Sequence, residues 1–153
     1  MTTLGLALAA ALAAAPLVPD PALTPGVVDP AVTQATTATT ICVAGYTAGG
    51  RHVSGATKKA VFAEYGVDRR SQHFEIDHLI SLELGGANDI HNLWPQSYDT
   101  EPLNAHTKDA LEDHLHALVC SGQVPLADAQ AAIVADWRTA YATYIGPLPA
   151  AAP

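Results

Sequence analysis

Val61, Phe62 and Tyr65 share one side of a segment that Ser54 or Thr57 can cap, and Gly66 is a suitable stop, which predicts a helix from there to Tyr65. Phe74 to Leu79 reads as a strand. Leu82-Glu83-Leu84-Gly85-Gly86 then turns the chain, Asn88-Asp89 prolongs the loop, and Asn92-Leu93-Trp94 returns as a second strand stopped by Pro95. From Asn104 to Cys120 the spacing becomes helical: Leu111, Leu115 and Leu118 fall at i, i+4 and i+7, with Asp109, Glu112 and Asp113 between them. Ser121-Gly122 closes that helix and Pro125 suits the first turn of another, with Leu126, Ile133, Trp137, Ala140 and Tyr144 along one stripe and Gly146-Pro147 at its end. Ile41 to Tyr46, before Gly49-Gly50, is read as a further short strand. The pattern predicts an α+β domain with a very small sheet.

Composition divides the chain. Residues 1–40 contain no Lys or Arg and five prolines, whereas residues 41–146 hold every aromatic residue, both cysteines and all seven histidines. The folded domain is therefore expected at 41–146. Leu4 to Val18 has the apolar, small-residue character of a secretory signal without its basic start, and is too short to span a membrane comfortably. Pro16 to Thr40 reads as a flexible Pro/Thr-rich linker, and 147–153 as a disordered tail. A secreted or extracytoplasmic monomer with no stable membrane association is expected.

Two further features bear on this picture. Cys42 lies at the start of the predicted domain and Cys120 at the end of a predicted helix. Paired, they close a loop of nearly eighty residues, worth about 4 kcal/mol by chain entropy; unpaired, they are two buried thiols. A disulfide agrees with export, and neither cysteine has the neighbours of a zinc finger. The net charge is −8, and the 41–146 region has seven Lys and Arg against thirteen Asp and Glu. That balance counts against a polyanionic partner held by net charge. Five of the seven bases, Arg51, Lys58, Lys59, Arg69 and Arg70, precede the Phe74–Trp94 hairpin, and a helix packed beside it would make them a local basic rim.

Chemistry concentrates in residues 75–95. Asp77 and His78 are adjacent at the end of a strand, where neighbours face opposite sides unless the chain leaves the strand there. Gly85-Gly86 allows that departure, and a hairpin returns Asn92 beside His78. A carboxylate, an imidazole and a carboxamide then converge. A hard cation prefers the oxygen that Asp77 offers, a neutral imidazole can take a proton from water near neutrality, and Asn92 can tie the loop across.

Asp77-His78, Leu79-Ile80-Ser81-Leu82, Gly85-Gly86 and Asn92-Leu93 resemble the motif of the HNH endonuclease family, with Ser81 where that family usually has Pro. Cys42, Gly45-Tyr46, Lys108-Asp109, Leu111-Glu112 and Val119-Cys120-Ser121-Gly122 are similar to a small secreted-type bacterial subgroup, so the resemblance covers most of 41–145. It implies a ββα-metal core, a hairpin plus helix with flanking helices, and hydrolysis of phosphodiester bonds in nucleic acid, DNA first. It implies Asp77 as metal ligand, His78 as general base and Asn92 as the residue that steadies the loop. The cation would be Mg²⁺, with Mn²⁺ or Zn²⁺ as alternatives. The family's last ligand sits in the first turn of the following helix, where Asn104 and His106 are both available; Glu75 is a further candidate, toward the metal or toward Lys108. The alternative expectation is a secreted binding module that keeps the fold and has lost cleavage.

Overall fold

In the computed structural model, which describes residues 15–150, the chain is mixed α and β. Helix α1 spans Gly55–Tyr65, strands β1 and β2 span Phe74–His78 and Leu93–Ser97, and helices α2 and α3 span Ala105–Cys120 and Leu126–Tyr144. The boundaries follow local chemistry. Ser54 caps α1 by accepting the Thr57 N–H, and Gly66, at φ 62°, ends it in a left-handed turn. Asn104 caps α2 in the same way through the Thr107 N–H. Helix α3 breaks at Asp136, whose extended backbone lets its carboxylate take both the backbone and the guanidinium of Arg138.

The strands pair antiparallel, with Asp77 opposite Trp94 and His78 opposite Leu93. Pro95, expected to stop β2, lies inside it opposite Ile76. A two-stranded sheet is all edge, so the missing N–H breaks no second ladder. The core lies between α2, α3 and the loop that joins the strands: Leu79, Ile80, Leu84, Trp94, Leu111, Leu115, Ile133 and Trp137 are sealed there. Val61, Ile76 and Leu93 form a smaller cluster where α1 meets the sheet.

Two expectations about the first part of the chain are corrected. Ile41 to Tyr46 forms turns rather than a strand; only Ile41 of the apolar run is buried and Val43 is half exposed, and the sheet among the described residues contains β1 and β2 alone. The segment read as a flexible linker lies along the motif loop. Gly26 donates to the His91 carbonyl, Asp29 to that of Gly85 and Thr24 Oγ1 to that of Leu93, while Ala87 donates to Val27 and Val32 is buried in the main core. Its prolines forbid a helix, but they also limit the conformations lost when an extended segment docks. In the tail, Leu148 packs against the core. Most of the signal-like segment lies outside the described residues; its end does not, and the Leu17 carbonyl accepts the Trp137 indole N–H at 3.0 Å.

A disulfide joins Cys42 and Cys120. No helix among the described residues is long and apolar enough to cross a membrane.

Candidate active site

His78 is the last residue of β1. The chain leaves the strand immediately after it, with Leu79 donating to the Asn92 carbonyl at 2.7 Å. The departing loop is held by the Asn92 carboxamide, which is fully buried: Oδ1 accepts from Ile80 N at 3.0 Å and Val27 N at 3.3 Å, and Nδ2 donates to the carbonyls of Ile80 and Ala87, both at 3.0 Å. The loop passes so close to itself that a Cβ at Gly86 would lie 1.7 Å from the Ile80 oxygen, so only glycine fits. Asn92 therefore acts on the loop and makes no hydrogen bond to the His78 ring.

Asp77 and His78, neighbours on a strand, both line one cavity of about 390 Å³. The rest of its wall includes Arg51, Ser81, Glu83, Asp109 and Glu112. The imidazole is oriented by a residue read from the sequence only as part of a loop. Asn88 donates through Nδ2 to the Gly50 carbonyl at 2.6 Å, which turns its Oδ1 toward His78 Nε2 at 3.0 Å. A carboxamide oxygen only accepts, so Nε2 carries the proton and Nδ1 is the free lone pair. Nδ1 has no hydrogen-bond partner among the described residues. Burial holds the His78 pKa below its ordinary value, against the opposing pull of Asn88 and Asp77, so the ring is neutral at physiological pH.

Asp77 is buried, and its Oδ2 accepts from Lys108 Nζ at 2.7 Å. Lys108 is itself sealed, and its other two donors go to the His78 carbonyl at 2.8 Å and to Glu112. Burial alone would pull its ammonium down, but the charges of Asp77 and Glu112 overcome that and hold it above the usual lysine value. All three protons are used, so Lys108 has none left for a substrate. Burial raises Glu112 well above the usual carboxylate range. Burial likewise raises Glu83 and Asp109, reinforced by the nearby charges of Asp113 and Asp77 respectively.

The expected third ligand is not where the first turn of the helix suggested. Asn104 is consumed by capping: its Oδ1 faces Thr107, its Nδ2 donates to Glu101 at 2.7 Å, and it lies outside the cavity wall. His106 is exposed, leans on the Tyr98 ring with centroids 4.9 Å apart, and also lies outside that wall. The helix presents Lys108 and Glu112 inward instead, one and two turns after the cap. Glu75 reaches neither the cavity nor Lys108; its Oε2 accepts the Tyr98 hydroxyl at 2.9 Å. Glu83 lines the cavity, and His116 Nε2 donates to the Ile41 carbonyl at 2.8 Å.

The donors present suit a hard cation. Four carboxylates border the cavity against Arg51 and the buried Lys108, and Asp77 Oδ1 has no hydrogen-bond partner among the described residues. Those carboxylates and the imidazole form no tight three-ligand group; the one such group among the described residues is Cys42, His116 and Cys120, whose sulfurs are in the disulfide. Sparse oxygen ligation, completed by water and phosphate, is the manner of Mg²⁺.

Comparison with protein-family models, curated proteins and solved structures finds no match for this chain.

Proposed function

We propose that this cavity is the active site of a metal-dependent endonuclease of the HNH, ββα-metal type, hydrolysing phosphodiester bonds of nucleic acid, DNA in the first instance. The observation that carries the reading is the His78 ring: neutral, with Nε2–H committed to Asn88 and Nδ1 left free at a cavity rich in carboxylates.

In this mechanism His78 Nδ1 accepts the proton of an attacking water, and the fixed Nε2–H···Oδ1 bond keeps the ring oriented as it becomes charged. Asp77 Oδ1, with Glu112 or Asp109, would hold the cation. When bound, the cation supplies Lewis-acid stabilisation of charge on the phosphate and its leaving oxygen. Arg51 brings a positive charge to the cavity wall, where an incoming phosphate meets the acidic protein. Asn92 keeps the loop, and with it the end of β1, in place.

The disulfide supports a further part of the reading, that the protein works in an oxidising compartment outside the cytoplasm.

One observation favours a second reading, a binding module that keeps this fold without cleavage: Lys108 already neutralises Asp77 Oδ2. Incubating the purified chain with supercoiled plasmid and Mg²⁺ or Mn²⁺ separates the two. The nuclease reading expects nicking that EDTA abolishes and His78→Ala removes. Intact plasmid under every metal condition, or equal nicking by the variant, contradicts it.

A further inference from the structure

A second cavity, of about 420 Å³, adjoins the first, and Arg51 lines both. Their charges are opposite. The first is bordered by Asp77, Glu83, Asp109 and Glu112; the second has two cations, Arg51 and Lys58, and a single carboxylate, Glu75. Its walls are aromatic. Phe62 and Phe74 meet edge to face with centroids 5.6 Å apart, and Tyr98 lines the same cavity, its hydroxyl committed to Glu75. Burial, aided by the carboxylate of Glu75, raises the Tyr98 phenol to about 12, so the ring is neutral at any working pH. The exposed imidazole of His106 packs against the Tyr98 ring, with centroids 4.9 Å apart.

We propose that this second cavity is a nucleotide subsite, taking one unpaired base and an adjacent phosphate next to the bond cut in the first. The preferred substrate is then single-stranded or locally unpaired nucleic acid. This rests on the nuclease reading above and adds the substrate class to it. A base stacked in a duplex has both faces covered and cannot reach an aromatic wall, whereas a single strand can turn a base into it. The charge supports the same occupant. On a chain of net charge −8, two cations beside three aromatic rings form a local site for one strand, while the acids of the neighbouring cavity oppose phosphates brought in without a cation.

The test is binding, read apart from cutting. The full chain carrying His78→Ala is titrated, in Mg²⁺, into a fluorescein-labelled twelve-residue oligothymidylate and into a duplex of the same length, and anisotropy is followed. The single strand is expected to bind about tenfold tighter than the duplex or better. Lys58→Glu and Tyr98→Ala should each weaken single-strand binding by roughly fivefold to a hundredfold, the range expected for a lost base stack or phosphate contact. Tyr98→Phe should retain it. Arg69→Glu, an equal charge change at an exposed position outside this wall, should stay within about twofold. Duplex binding as tight as single-strand binding overturns the subsite, as does equal loss from Arg69→Glu and Lys58→Glu. If Tyr98→Ala does not fold, the comparison of the two exposed cations decides alone. His78-dependent plasmid nicking without these binding differences refutes the subsite only; the binding differences without metal-dependent cleavage, by the parent chain, of either plasmid or the oligothymidylate refute the nuclease reading only.

Discussion

Replacing Lys108 with Met, a side chain of similar length, removes the one cation between two sealed carboxylates. Three hydrogen bonds are lost, to Asp77 Oδ2, Glu112 and the His78 carbonyl. Breaking a buried ion pair by deleting one partner costs about 3–5 kcal/mol. The lower end is expected here, because Glu112 already has a raised pKa and can take up a proton. A loss of about 3 kcal/mol is a large part of a domain stability of roughly 5–15 kcal/mol and should lower Tm by about 10 °C. Urea unfolding of the oxidised protein measures it. The pH dependence has a definite sign. A carboxyl whose folded pKa lies above its unfolded value stabilises below the unfolded pKa and loses that contribution as pH rises through the folded one. The deficit of Lys108→Met should therefore be smaller near pH 5 than at pH 8. Adding Glu112→Leu removes one stranded charge and should recover about half of the loss, since apolar replacement of a buried pair is often close to neutral. A single variant within about 1 kcal/mol of the parent, or a double variant no better than the single, would refute the view that Lys108 pins this site.

Two other expectations are simpler to check. Asn92→Ala strands two N–H groups and two carbonyls in or near the buried loop and should cost about 3 kcal/mol in urea unfolding, with the Ile80 and Val27 amides exchanging faster with deuterium. Reducing the disulfide, which spans 78 residues, should lower stability by about 4 kcal/mol. The effect should reach the site as well, because Gly50, the anchor of Asn88, lies on the segment that Cys42 ties down, so nicking should fall under conditions where the reduced chain is still folded.

The elements legible in the sequence are those governed by local rules. Ser54 and Gly66 bound α1 through capping, and Leu111 and Leu115 mark the buried face of α2 through their spacing. The Gly85-Gly86 loop is legible because its close approach excludes any side chain. What stayed hidden depends on tertiary contacts. The stretch from Pro16 to Thr40 looks like linker because many of its partners are backbone groups of residues 85–93, which leave no signature in either segment. Lys108 and Glu112 read as ordinary surface charges of an amphipathic helix until Asp77 of β1 is brought against Lys108. Asn88 is one loop asparagine among several until Gly50 fixes which way its amide faces. Asn104 and His106 had suitable chemistry in the expected turn, but an N-cap spends its side chain on the helix, and the residue two positions later faces outward.

The rate of plasmid nicking as a function of pH, for the parent chain, Asn88→Ala and His78→Ala in saturating Mg²⁺, bears most directly on the imidazole. Because burial depresses the His78 pKa, the parent rate should rise with pH through a midpoint below about 6.5 and then level off. Asn88→Ala should keep activity at a reduced rate, and His78→Ala should be slower by at least about a hundredfold throughout. A His78→Ala protein that nicks as fast as its parent, with the same profile, would contradict the account.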